Sequence, residues 1–318
     1  MNLRRWMSFG LDTQTREYLG EVAAHPMRSI YRLCRSLAGD SELEKRELLY
    51  NLALSLPDRV AAEYRRELEY LAKFPRDYTN MFPYARKEGA RKEIEFGQEK
   101  GLPFVVHDGR KFFGPRDMTP TEMAAAYRYF TEEEGLLGNG CRECSPHAYT
   151  DGSFTVENGD TVVDVGCSDA LFAFHHAERA EHIYLFESWS RWKPALEASF
   201  APYRERTTIL DRFVTDRTSG RNIRLADAVK GGDGARYFIK MDIEGGERSV
   251  IEASRDFLMS NRVKLSCCVY HRQDDAEVIS GMLREMGFTT RYSNGYMLPL
   301  INGIQFPYFR RGVVYAEK

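Results

Sequence analysis

The chain has 318 residues, 43% hydrophobic and 29% charged, with a formal net charge of −2. That length allows one large or two modest domains, and the near-neutral balance leaves no electrostatic footprint for nucleic acid. No apolar window of 18 residues predicts a transmembrane helix, residues 1–10 lack the apolar stretch of a signal peptide, and the six cysteines show no disulfide-framework spacing, so a cytoplasmic protein is expected.

The first 75 residues read as helical. Pro26 marks a helix start and Gly39 an end. Asp40-Ser41 with Glu44 forms a capping-box pattern that opens the next helix, with Leu48, Leu49, Leu52 and Leu56 as its apolar stripe and Pro57 as its stop. Asp58 begins another, striped by Val60, Tyr64, Leu68 and Leu71 and closed by Phe74-Pro75. These stripes are expected to pack on one another. Docking a biosynthetic partner or a second copy in a homo-oligomer is their sharper use. Further on, Phe104–His107 and Arg110–Phe113 flank Asp108-Gly109, the signal for a two-residue type I′ hairpin. Thr119-Pro120 opens a helix through about Glu133, which Gly135 ends, and residues 135–152 read as a connection. The chain thus divides into a helical region over 1–95, a mixed region over 96–150 and an α/β domain over 151–318.

In that last part, strands are predicted near 161–165, 183–187, 207–214, 236–242, 263–270, 288–293 and 311–317. A helix is predicted at 247–258. Another carries Val278, Ile279, Met282, Leu283 and Met286 and stops at Gly287. No helical pattern joins the last two strands, which predicts a reversed hairpin at the sheet edge. The strand Thr161–Val165 runs into Gly166, and the next apolar run ends on Glu187, about 20 residues later. Strand, glycine turn, helix, strand and acid form the nucleotide-binding half of a doubly wound α/β fold, with the acid placed for ribose hydroxyls. A dinucleotide wants G-x-G-x-x-G, yet only Gly166 is present, with Ser168 and Leu171 at the later positions. Asp164 and Asp169 flank the turn, where carboxylates repel a pyrophosphate and suit a ligand bearing an ammonium and a sulfonium. S-adenosylmethionine is such a ligand.

Val-Val-Asp-Val-Gly at 162–166, Tyr-Leu-Phe-Glu at 184–187 and Phe-Ile-Lys-Met-Asp-Ile-Glu-Gly-Gly-Glu at 238–247 resemble the FkbM-type methyltransferases. Tyr270-His271 and the segment from Tyr292 to Met297 add to the resemblance, which spans roughly 145–318 and takes in Ser145 to Tyr149. It implies a Rossmann-like class I methyltransferase sheet of seven strands, S-adenosylmethionine as cofactor, and a hydroxyl of a sugar, glycan or small metabolite as acceptor. The family usually shows Gly where this chain has Ala170, and Ala or Asn where it has Cys167. Asp164, Gly166, Ser168, Asp169, Glu187, Ser188 and Asp242 are the candidate cofactor-binding residues.

A neutral hydroxyl is a weak nucleophile, so a base or a metal is expected near it. Asp242 and His271 should converge outside the carboxyl ends of two neighbouring strands. His271 is the first candidate for general base because its usual pKa lies near neutrality; Asp242 and Glu244 are the alternatives. Asp242, Glu244, Glu247 and His271 can also hold a hard divalent ion, although acids at this spacing equally suit a helix start, and a metal is not favoured. His147, Tyr149, Glu244, Tyr270 and Arg310 are candidate substrate contacts. Lys240, inside a central strand, needs a carboxylate partner unless it snorkels at a sheet margin. Cys141-x-x-Cys144 with His147 offers three zinc ligands and lacks a fourth. Trp189 and Trp192 can cover adenine or a sugar face, or pack in the core. Two other readings stand beside methyl transfer: an inactive S-adenosylmethionine-binding or scaffolding module, which the departures at Cys167 and Ala170 support, and an NAD-linked oxidoreductase, which the acidic turn opposes.

Overall fold

A computed structural model of the chain describes residues 41–73, 93–134, 145–230, 234–301 and 303–318. The readings placed on Pro26, Gly39, the capping box at 40–44, Phe74-Pro75, Gly135, Cys141 and Cys144 rest on residues or side chains outside that set.

Three helices come first: α1 (Ser41–Leu54), α2 (Asp58–Ala61) and α3 (Arg65–Lys73). The single helix expected from Asp58 is therefore two, separated by a turn at 62–64. A small antiparallel sheet follows, β1 (Phe96–Glu99), β2 (Leu102–His107) and β3 (Arg110–Phe113). His107 pairs with Arg110, and Asp108 and Gly109 both take positive φ (49° and 77°), as a type I′ turn requires. Helix α4 (Pro120–Glu133) opens with a complete capping box. Glu122 donates its N–H to the Thr119 hydroxyl at 3.2 Å, and the Glu122 carboxylate accepts from the Thr119 N–H at 2.7 Å.

The α/β part runs β4 (Thr161–Val165), α5 (Leu171–His175), β5 (His182–Phe186), α6 (Lys193–Ser199) and β6 (Thr207–Leu210). After it come the two-residue strands β7 (Phe213–Val214) and β8 (Asn222–Ile223), then α7 (Leu225–Ala228) and β9 (Arg236–Met241). Helices α8 (Glu247–Ala253) and α9 (Arg255–Ser260) stand where one helix was expected, broken at Ser254. The chain ends β10 (Arg262–Cys268), α10 (Asp275–Glu285), β11 (Thr289–Tyr292) and β12 (Val313–Glu317).

Seven strands form one sheet in the order β11-β12-β10-β9-β4-β5-β6. β10, β9, β4, β5 and β6 are mutually parallel, and β12 runs antiparallel to both β10 and β11. This is the Rossmann-like class I methyltransferase sheet with its reversed C-terminal hairpin. Alternation along each strand sends side chains to two layers. Val162 and Phe238 join Phe154, Phe172 and Tyr315 on one face. Val163, Val165, Ile239 and Met241 join Val250, Ile251, Ile279 and Leu283 on the other. The N-terminal helices have a surface to cover as well as one another. Leu48, Leu49, Leu52, Leu56, Tyr64 and Leu71 are buried with Tyr296, Leu298, Ile304, Tyr308 and Phe309 of the segment between β11 and β12. There the buried Glu67 accepts the backbone N–H of Tyr296 at 3.1 Å. Among the described residues no helix is long and apolar enough to cross a membrane.

One pair inside the sheet is ionic. Asp164 on β4 lies directly opposite Lys240 on β9, with Lys240 Nζ 3.0 Å from Asp164 Oδ1 and both side chains buried. The expected carboxylate partner for Lys240 is therefore Asp164. Removing one member of such a pair strands the other charge. Lys240→Met is expected to lower unfolding free energy by about 3–5 kcal/mol in urea denaturation, and adding Asp164→Leu to recover much of it. A loss below about 1 kcal/mol for Lys240→Met, the level of an exposed ion pair, would show that the pair contributes little.

Candidate active site

Because β4, β5, β9 and β10 are parallel, the segments that follow them emerge at one edge of the sheet, where ligands of doubly wound folds bind. Gly166 has φ +73°, and a Cβ there would overlap the backbone carbonyl of Asp242, so the turn after β4 and the turn after β9 touch through a position only glycine can fill. Ser168 and Ala170 are also left-handed, at φ 48° and 61°. Glu187, just past β5, ties this loop down: its carboxylate accepts the Ser168 N–H at 2.8 Å and the Trp189 N–H at 2.6 Å. Asp169 accepts the Leu171 N–H at 2.7 Å, and burial pushes its carboxyl up to about 7. The Ser188 carbonyl accepts from Arg221 at 2.6 Å. Trp192 is in the core, whereas Trp189 is 59% exposed beside Glu187. Asp164, by contrast, is fully buried against Lys240, which also donates to the Gly166 carbonyl at 2.6 Å. Asp164 thus reaches the turn through Lys240 and does not itself face the ligand edge.

Asp242 is the focus of the site. The Tyr149 hydroxyl donates to its carboxylate at 3.0 Å, the Tyr270 hydroxyl stands 3.4 Å away, and His147 Nε2 is 3.5 Å away. His271 Nε2 approaches the other oxygen at 3.4 Å. Burial alone would raise the Asp242 carboxyl, but His147, Lys240 and His271 together hold it well below the usual carboxylate range. His147 Nε2 lies 3.1 Å from the Tyr149 hydroxyl and 3.5 Å from Cys268 Sγ.

His271 stands among three carboxylates: Asp242, Glu244 at 3.4 Å and Glu247 at 3.2 Å. Burial disfavours its charge, yet the carboxylates of Glu244, Glu247 and Asp242 around it outweigh that and raise its pKa to about 10. These neighbours favour the charged imidazolium over the neutral base expected of it. Glu244 is mostly exposed, and Glu247 is buried, where it also accepts the Ile243 N–H at 2.9 Å at the start of α8. Ligand atoms of Asp242, Glu247 and His271 lie within 4.8 Å of one another, close enough for a divalent ion to bridge them. The proton on His271 already neutralises part of the same cluster. Arg310 was a candidate for an anionic substrate group. It is instead buried, donating to the carbonyls of Tyr270, His271 and Ile301 at 2.7 to 3.1 Å and to Gln273 Oε1 at 2.9 Å. Its guanidinium fixes the segment that carries Tyr270 and His271.

His147 and Tyr149 sit on a loop laid across β10 and β12 by contacts that pattern reading missed. Ser266 donates to the Tyr149 carbonyl at 2.8 Å, Ser293 to the Pro146 carbonyl at 2.6 Å and Tyr315 to the Ala148 carbonyl at 2.6 Å. Gly312, just before β12, lets the Pro146 carbonyl approach so closely that a Cβ would overlap it. A glycine at a strand start that is not followed by a turn was the one available signal.

No family model and no curated protein matches the sequence. Solved structures with some similarity include methyltransferase FkbM from Methylobacillus flagellatus KT, at 18% identity and a TM-score of 0.41 over 52% of this chain and 45% of that one. The chain therefore matches less than half the length of that protein. Precorrin-6y C5,15-methyltransferase from Geobacter metallireducens is 13% identical, with a TM-score of 0.35 over 51% of this chain and 82% of that one. An rRNA methylase from Streptococcus thermophilus is 15% identical, with a TM-score of 0.33 over 51% and 89%.

The contact at Gly312 can be broken by one methyl group. Gly312→Ala is expected to displace the 145–149 loop and to lower unfolding free energy by about 1–3 kcal/mol, the range for overpacking. Urea denaturation measures it, and a change under about 0.5 kcal/mol, typical of surface positions, would mean that the loop is not held by this approach.

Proposed function

We propose that this chain is an S-adenosylmethionine-dependent O-methyltransferase acting on a hydroxyl of a sugar, glycan or small metabolite. The observation that carries the reading is the single carboxylate of Asp242, ringed by Tyr149, Tyr270, His147 and His271 and in backbone contact with the Gly166 turn. The sugar preference rests on the FkbM-type resemblance, and the net charge of −2 disfavours a nucleic acid acceptor. Cys167, Cys267 and Cys268 are buried free thiols, which suits a reducing cytoplasm.

The turn fits the cofactor. It presents the carboxylates of Asp169 and Glu187 where a pyrophosphate would need glycines and bare amides, so a ligand with an ammonium and a sulfonium suits it. Gly166, Ser168, Asp169, Glu187 and Ser188 would hold the cofactor, with Asp164 acting through Lys240, and the exposed Trp189 offers an aromatic face beside Glu187. When bound, the cofactor supplies a methyl group on a positively charged sulfur.

The protein's own work is positioning and proton handling. Tyr149 and Tyr270 orient the Asp242 carboxylate, and the same ring of hydroxyl and imidazole groups can receive an acceptor hydroxyl. Asp242 takes the acceptor's proton. A carboxylate this weakly basic suffices, because a hydroxyl oxygen becomes strongly acidic as it bonds to the methyl carbon as a third group. His271, charged by Glu244 and Glu247, steadies the Asp242 anion and takes no proton itself. A divalent ion at Asp242, Glu247 and His271 would have to displace that imidazolium proton, so the metal-free form is preferred.

Thermal shift separates the cofactor alternatives. S-adenosylmethionine and S-adenosylhomocysteine should raise the melting temperature and NAD should not. A rise with NAD alone would sink the methyltransferase reading. Glu187→Ala should weaken cofactor binding. Asp242→Asn should leave it largely intact and lower kcat by about 10²–10⁴, the usual size of a base effect.

The pH dependence follows from Asp169. With its pKa near 7, the carboxyl is largely protonated at pH 6 and ionised at pH 8. A cationic ligand favours the ionised form, so affinity should rise with pH by up to about tenfold per unit below that pKa and level off above it. Calorimetric titration with S-adenosylmethionine, which carries the sulfonium, at pH 6, 7 and 8 measures this. Asp169→Asn should flatten the profile, and an unchanged slope in that variant would assign the titration to another group.

A further inference from the structure

A second cluster of ligating side chains lies where the hairpin turn meets the end of α5, and it shares no residue with the proposed transfer site. The type I′ turn sets Asp108 immediately after His107, and α5 delivers His175 as its last residue. His107 Nε2 is 2.9 Å from His175 Nδ1, and Asp108 Oδ2 is 3.4 Å from the first nitrogen and 3.5 Å from the second. A triangle with those sides surrounds a point about 2 Å from every corner, which is the bond length of zinc to imidazole or carboxylate.

Hydrogen bonding accounts for only part of this. One proton serves the two nitrogens, while the carboxylate oxygen stands at the edge of hydrogen-bond reach from both. A cation at the shared point would serve all three. The His107 ring is also held from behind, since its Nδ1 lies 2.7 Å from the buried Tyr127 hydroxyl. That is the outer partner that fixes a ligating histidine's orientation. Asp108 is 61% exposed, so an ion has a path in from solvent.

We propose that His107, Asp108 and His175 bind one zinc ion, leaving a fourth position for water. Two imidazoles and one carboxylate suit zinc better than magnesium or calcium, which want more oxygens. The ion would clamp the β2–β3 hairpin to α5, the helix that opens directly from the glycine turn.

The test uses the full chain, stripped with EDTA, desalted and titrated with zinc. One zinc per chain is expected by elemental analysis, with a rise in melting temperature. His175→Ala and Asp108→Asn should each weaken zinc binding by at least about tenfold, while circular dichroism confirms that both stay folded. Asparagine keeps the left-handed turn at 108 accessible. Failure to bind zinc saturably would overturn the proposal. So would binding that survives the His175→Ala, Asp108→Asn double variant, or that is lost with Cys141→Ser, Cys144→Ser instead. None of these outcomes bears on whether the chain transfers methyl groups.

Discussion

The buried ion pair between Asp164 and Lys240 is the constraint on which the site is built. Taking both charges out of water costs several kcal/mol per ion, and only close geometry with further hydrogen bonds offsets it. The strands supply that geometry, because parallel pairing of β4 with β9 sets the two residues opposite each other on the face that also carries Val162 and Phe238. Burial alone would strip Lys240 of its proton, and Asp164 and Asp242 hold it charged. Its remaining donors reach beyond the pair. One goes to the Gly166 carbonyl, and the ammonium lies 5.1 Å from the centre of the Tyr149 ring. One cation thus fastens the glycine turn, faces the aromatic ring that orients Asp242 and lowers the Asp242 carboxyl through space.

From this pair outward, the acids at the strand edge are separated by environment and not by type. Asp242 is held ionised by the histidines and the lysine around it. Asp169, with a backbone N–H but, among the described residues, no cation in bonding contact, is pushed toward neutrality by burial. Glu247 is occupied by the Ile243 N–H and by His271. Carboxylates sharing one region with different protonation are a means of assigning different tasks to the same functional group. Here the arrangement gives a permanent anion beside the Tyr149 and Tyr270 hydroxyls, and a titratable one on the glycine loop.

The elements that local chemistry decides were legible in the sequence. The strands β4, β5 and β9, the Asp108-Gly109 turn and the stop at Gly287 follow from period, turn residues and backbone freedom, whereas the strand expected over 207–214 ends at Leu210 and Phe213–Val214 pairs instead with β8, which no pattern marked. The reversed hairpin followed from a missing helix. What escaped was set by long-range contact. Nothing local shows that Arg310 is turned inward onto three carbonyls, since arginine near a chain end reads as solvated. His271 reads as a neutral base until Glu244 and Glu247 are brought to it by the turn before α8. His107 and His175 are 68 residues apart, and only the hairpin's position against α5 unites them. The break at Ser254 escaped for another reason: the apolar pattern continues through it, and the helical period alone does not register one irregular residue.

Ala170, at a position where FkbM-type methyltransferases usually show glycine, shows how the core and the loop share a cost. Its φ of 61° and ψ of 31° place it in the left-handed region, which disfavours a Cβ by about 1–2 kcal/mol. Glycine would relieve that strain, but it would give back about 0.5–1 kcal/mol in chain entropy and about 0.8 kcal/mol for the buried methyl group. That methyl is almost fully buried in the layer with Phe172 and Val162. The two sides nearly cancel, so alanine can hold the loop in the conformation glycine would adopt. Alanine at position 170 therefore leaves the turn intact.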